Sequence, residues 1–271
     1  MRRLLLCSCL ACALILAAAF APAICPYDPN GQDLSQSLRP PSAAHPMGTD
    51  RYGRDMFSRV IVGARVSVFS ALSLVAITTA FGTATGAACA FCGGPVDAVI
   101  MRFSDVCLAF PGLVFALFVA AVIRGGVFGA VAAIAVVSWP KYARLSRSLI
   151  LSLRDRDFIL AARMAGLSRF QIAVRHAIPN VIGEIVVTAA LDVGTMMMEL
   201  AGLSFLGLGA QPPTPEWGSM MSTGRSMFQT YPWVVLAPGT AIFASVVTFN
   251  MLGDAVRDHF DRRQADLEAG V

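Results

Sequence analysis

Long uncharged, largely apolar stretches alternate along the chain with short basic or glycine- and proline-rich connections. No charge interrupts Leu4 to Tyr27, Val66 to Val96, Val106 to Ile123, Gly125 to Pro140 or Ser226 to Gly253. A bilayer core of about 30 Å takes about 20 apolar residues in a helix, so these five runs predict five membrane spans. The 125–140 run is short and borrows the apolar part of the residues that follow. A sixth span is expected from Val181 to about Leu203, although Glu184, Asp192 and Glu199 interrupt it. Pro179 suits its first turn. Leu200 to Pro215 is also uncharged but holds Gly202, Gly207, Gly209, Pro212, Pro213 and Pro215, which break helices.

The expected fold is an all-α integral membrane protein, a single domain over 1–271. Its spans lie near 4–24, 66–92, 104–123, 126–145, 181–203 and 233–253, with an outer loop at 25–65 and a cytoplasmic loop at 146–180. With the N-terminus inside, twice as many Arg and Lys residues fall on the cytoplasmic side as outside. Both termini are then cytoplasmic, and Trp217, Tyr231 and Trp233 sit near the outer interface. A cleaved signal peptide ending near Ala21-Pro22-Ala23 is the rival reading of the first segment. A lipoprotein site at Cys25 is disfavoured by the bulky Ile24.

Composition agrees. The chain is 56% hydrophobic and 14% charged, where soluble domains carry about 25% charge. This excludes disordered and collagen-like chains, and seven cysteines are too few for a disulfide scaffold. Cys89-Ala-Phe-Cys92 has no partner pair and reads as small apolar helix residues. Met196, Met197 and Met198 are soft donors by chemistry, but at this spacing they read as core filler. The three histidines lie far apart and suggest no metal site.

The segment KYARLSRSLILSLRDRDFILAARMAGLSRFQIAVRHAIPN, from Lys141 to Asn180, carries the most local information. Arg154 to Ala165 favours helix, Gly166 suits a left-handed C-terminal cap, and Ser168 with Gln171 forms a capping box for a second helix. Pro179 opens the next span. The product is a helix–turn–helix on the cytoplasmic surface. Flanking spans exclude a DNA-reading version. The segment is either a basic loop held by lipid phosphates or a docking surface, and the small side chains of Ala161, Ala162 and Gly166 favour docking.

On the outer side, Gly48 allows a tight turn and Asp50 is placed to cap a following interfacial helix bearing Arg51, Arg54 and Asp55. In the sixth segment, Thr188, Asp192, Thr195 and Glu199 fall within a sector of about 60° at 100° per residue. A carboxylate at membrane depth faces a cavity or a partner group. The stripe therefore lines a pore or bonds to a neighbouring helix.

The same segments carry a resemblance. Ala161, Ala162, Gly166 and Pro179 match the spacing of the "EAA" signature of binding-protein-dependent ATP-binding-cassette importer permeases. Leu160 stands where that motif has glutamate, which removes any salt bridge made from there. RHAIPN at 175–180, HPMGTDRYGRD at 45–55 and LSFLGLGAQPPTPEWG at 203–218 resemble the dipeptide, oligopeptide and nickel subfamily. LDVGTMMMELAGLSFLGLG, from Leu191, leans toward its nickel branch. The resemblance runs from about Pro26 to Asp261.

It implies one of two related permeases, working with two ATPase subunits and an external solute-binding protein in a bacterial or archaeal cytoplasmic membrane. It assigns ATPase coupling to Asp157, Ala161, Ala162, Arg163, Gly166, Leu167, Ser168 and Pro179. It assigns outer-face contact to Gly48, Thr49, Asp50, Gly53, Arg54 and Asp55. The chain would be no enzyme, hold no cofactor or metal, touch membrane lipid and bind no nucleic acid, with ATP and Mg on the ATPases. The solute would be nickel, a metal chelate, or a di- or oligopeptide. A phosphate-binding loop is absent: the only lysine, Lys141, follows proline. An ion-coupled carrier using Asp192 and Glu199 is the alternative.

Overall fold

The computed structural model describes residues 2–123 and 125–268. Its helices are α1 (Arg2–Ala19), α2 (Ala21–Ile24), α3 (Met56–Cys92), α4 (Gly94–Ala109), α5 (Gly112–Ile123), α6 (Gly126–Leu153), α7 (Asp157–Met164), α8 (Arg169–Ile172), α9 (Ile178–Phe205), α10 (Trp217–Gly224) and α11 (Trp233–Glu268). Four stretches are long and apolar enough to cross a membrane: Met56–Cys92, Gly126–Leu153, Arg169–Phe205 and Trp233–Phe260. The α4–α5 pair makes a fifth if counted as one span.

Several expected boundaries are corrected. The third span is not one helix: α4 and α5 meet at 100°. Pro111 forces the residue before it out of helical geometry, and Phe110 is extended at φ −94°, ψ 148°. The first segment forms an 18-residue helix, shorter than the spanning helices. It packs through Cys7, Ala11 and Ala18 against α3 and α11. The second span begins ten residues earlier than expected, at Met56, so the outer loop ends at Asp55. The fourth runs on through Pro140 to Leu153, so Arg147 joins Lys141 and Arg144 on that helix rather than lying in the loop. Pro179 lies in the first turn of α9, as expected. It follows a wide π-helical turn, Ala173–Ala177, that joins α8 to α9. A wide turn beside proline accommodates the missing N–H and the ring's clash with the preceding turn.

The bundle is knit by α3, α6, α9 and α11. Helices α3 and α6 meet where Gly82 and Gly86 face Tyr142 and Ala143. A Cβ on Gly86 would lie 2.2 Å from the Ala143 carbonyl oxygen. Small residues four apart permit such close approach of helices in a membrane. Leu74, Ile134, Tyr142, Ile185, Met197 and Leu203 fill the resulting core, each almost fully buried. Met196 and Met197 are core residues as expected, but Met198 is 54% exposed and is not. Arg3 meets Asp258 of α11 at 3.2 Å, which puts the start of the first helix beside the late part of the last.

Candidate functional site

Three regions carry the polar chemistry. The loop before α3, expected on the outer side, gathers Gly48, Thr49, Asp50, Gly53, Arg54 and Asp55 into one knot. The Asp50 carboxylate accepts from the Tyr52 and Arg54 amides at 2.8 and 3.0 Å and from Arg54 Nε at 2.6 Å. Arg59 lies 3.9 Å from the same carboxylate and donates to the Pro29 carbonyl at 2.7 Å. The cap of α3 is Asp55, not Asp50. Asp55 accepts from the Ser58 amide at 2.8 Å and pairs with His45 at 2.9 Å, while Arg51 to Arg54 form a turn rather than a helix.

Thr49, Asp50, Arg54 and Asp55 are all buried, so their side chains brace this loop from within. Arg51 and Tyr52 are more open, and Tyr52 lies between the guanidinium groups of Arg51 and Arg54, 4.7 and 4.6 Å from its centroid. A second knot locks the last outer loop to α3. Glu216 caps α10 through the Gly218 and Ser219 amides and accepts from Ser67. Trp217 Nε1 donates to the Val60 carbonyl at 2.8 Å. Trp217 is only 2% exposed, so it is an internal anchor and not part of an interfacial belt.

The central region divides the expected polar stripe. Asp192 is buried and does bond to a neighbouring helix: Lys141 Nζ donates to both its oxygens at 2.6 and 2.7 Å, and the Tyr142 hydroxyl donates at 2.8 Å. Thr195 and Glu199 join Asp192, Lys141, Ser138 and Met196 around a pocket of about 280 Å³ between α4, α5, α6 and α9. Thr188 is absent from that lining; its hydroxyl donates to the Glu184 carbonyl instead. Glu199 forms no ion pair among the described residues.

Sequence reasoning missed the cations that α6 brings here. Lys141, Arg144 and Arg147 recur every third residue, which turns about 60° backward around a helix at each step. Lys141 consequently reaches α9, while Arg144 and Arg147 reach Asp105 and Asp97 of α4, at 3.2 and 2.5 Å. The signal was a basic triplet at helical spacing just beyond an apolar run.

The third region, expected on the inner side, is the loop between α6 and α8. Arg154 to Arg156 form a turn, Asp157 to Met164 are α7, and Gly166 holds φ +79°. The Leu167 amide returns to the Ala162 carbonyl at 3.2 Å, a closure that left-handed glycine permits. Ser168 and Gln171 make the expected reciprocal box. Ile159, Ala162 and Ile172 are buried together against Phe91, Leu153 and Leu167. The opposite side is bare: Met164 is 91% and Phe170 76% exposed, with Phe158, Leu160 and Ala161 also open.

Residues 59–266 match the family model for the binding-protein-dependent transport system inner membrane component. The nickel transport system permease protein NikC of Escherichia coli (strain K12) is 42% identical over 236 residues, 87% of this chain and 85% of that protein. The dipeptide transport system permease protein DppC of Alkalihalophilus pseudofirmus is 42% identical over 247 residues, 91% of this chain and 81% of that one. The glutathione transport system permease protein GsiD of Escherichia coli O6:K15:H31 is 43% identical over 249 residues, covering 92% and 82%. The chain belongs to the binding-protein-dependent transport system inner membrane component family, and within it to the peptide and nickel permeases, which are membrane components and not enzymes.

Proposed function

We propose that this chain forms half of the translocation pathway of an ATP-binding-cassette importer for a nickel or metal chelate or a di- or oligopeptide. A second related permease supplies the other half. Of two ATPase subunits carrying ATP and Mg, one docks on the loop from Asp157 to Ser168 of this chain, and an external solute-binding protein delivers the solute at the outer face. Six crossings with both ends in the cytoplasm complete the reading; the meeting of Arg3 with Asp258 supports it by putting two terminal segments at one end of the bundle.

One observation carries the proposal: α7 and α8 bury one face among themselves and leave Phe158, Leu160, Met164 and Phe170 uncovered beside the small Ala161. Contiguous apolar exposure of this kind marks a protein contact, and it lies on the segment whose spacing matches the coupling motif. A cysteine at Met164, in the complex purified from its own membrane, is expected to crosslink to an ATPase subunit. Failure to crosslink, with the ATPases still bound, would remove the loop from the interface.

In the pathway itself, the corrected assignment puts the solute-facing charge on Glu199, since Lys141 neutralises Asp192. Glu199→Gln is expected to lower uptake about tenfold with assembly intact, which corresponds to losing one charge-assisted contact. Asp192→Leu is expected to impair assembly by stranding Lys141 and Tyr142. Parent-level uptake in liposomes by Glu199→Gln would leave the pocket a packing feature.

A further inference from the structure

Behind the coupling helices, away from their exposed apolar face, lies a pocket of about 500 Å³. Its floor is apolar, built from Phe91, Ile150, Leu153, Ile159, Leu167 and Ile172. Its polar lining consists of Arg154, Arg163 and Arg169, together with Gly93 and Gly94 at the start of α4. None of the described lining residues is acidic. Arg169 donates to the Phe91 carbonyl at 3.3 Å, while Arg154 and Arg163 have no carboxylate partner among the described residues. The nearest acid in α4, Asp97, is taken by Arg147 through two bonds.

Three exposed guanidinium groups line one cavity with no acid among its lining residues, which concentrates positive charge there and favours an anion. The first turn of the 16-residue helix α4 adds backbone amides, although Pro95 supplies none and Asp97 in that turn already offsets part of the helix dipole. A Cβ on Gly93 or Gly94 would meet nothing within 4 Å, so a ligand has room to approach the backbone. The depth is also informative. The cavity sits at the last residues of α3, a 37-residue apolar helix whose length of about 55 Å exceeds a hydrocarbon core of about 30 Å, so its end reaches past the core toward the headgroups.

We propose that this pocket holds the phosphate headgroup of an anionic membrane lipid, with an acyl chain against the apolar floor. Arginine suits phosphate because its planar fork donates two parallel hydrogen bonds. A free phosphate ion would share the charge but leave the floor empty, so the lipid is the better fit. Bound there, the lipid ties the coupling loop to the α3–α4 corner, a junction whose own buried set is small: Ile159, Ala162 and Ile172.

The test uses the assembled transporter in bilayers of phosphatidylcholine with and without phosphatidylglycerol, with retained lipid measured by native mass spectrometry. The parent is expected to retain phosphatidylglycerol selectively. Arg154→Gln with Arg163→Gln is expected to weaken retention about 30-fold, since each basic group near a membrane surface contributes about fivefold. The matching double lysine variant keeps the charges and is expected to retain most of the lipid. Four results overturn the proposal. Retention is unchanged in the glutamine pair; inorganic phosphate binds in phosphatidylcholine as well as phosphatidylglycerol does; the glutamine pair sheds the ATPases but keeps its lipid; or neither double variant assembles, in which case the arginines are structural.

Discussion

The outer loop and the inner loop are built on opposite plans. The outer one, residues 25–55, is stitched by buried polar bonds: Asp50 with Arg54 and Arg59, Asp55 with Ser58 and His45, and Thr49 with the Gln36 carbonyl. The inner one, residues 154–172, has a turn, two short helices and a capping box, with a three-residue buried core and large apolar side chains in the open. Both use left-handed glycine, yet the surroundings differ. A Cβ on Gly53, at φ +70°, would lie 1.7 Å from the Asp33 carbonyl oxygen, whereas one on Gly166, at φ +79°, would meet nothing within 4 Å. A segment that is complete by itself presents a fixed surface. A segment with an uncovered apolar face gains its stability from what it docks against.

Gly53→Ala should have the largest effect on folding. Steric overlap with backbone adds to the cost of positive φ, and a loss of more than about 3 kcal/mol is expected, read as collapse of folded yield and thermal midpoint in detergent. Asp50→Ala comes next, at about 3 kcal/mol, because it leaves Arg54 and Arg59 buried without their carboxylate. A midpoint unchanged by either variant would break the picture of a self-sufficient outer loop.

Gly166→Asp should cost only about 1 kcal/mol of stability, yet abolish uptake and ATPase co-purification by putting a charge on the docking surface. Gly166→Asn tolerates the left-handed turn better and should keep part of the activity; equal loss in both would point to the turn rather than the charge. Met164→Asp is the mildest for the isolated chain, within about 0.5 kcal/mol as for other surface changes. It should still weaken ATPase binding about tenfold or more in a pull-down, as removal of a buried interface anchor does.

Local features were readable where their partners are close in sequence. Gly166, the Ser168–Gln171 box and the apolar helices all depend on residues within a few turns of one another. The break at Phe110 was readable too, from Pro111, but the continuous run from Val106 to Ile123 masked it. The pairing of Asp192 with Lys141 was not readable, because its partners are 51 residues apart and a helix face does not state which neighbour it meets. The outer motif was recognised by its letters, but the internal bonds of its polar residues were not read from them. Its polar residues look exposed in sequence, and only the fold shows that they satisfy one another inside.

The contrast between the two loops is tested most directly by amide hydrogen exchange, comparing the chain alone in detergent with the assembled transporter. Protection of residues 48–59 is expected to be strong and the same in both, while residues 157–171 exchange fast alone and become protected only when the ATPases are present. Strong protection of 157–171 in the isolated chain, or none in the complex, would contradict the account.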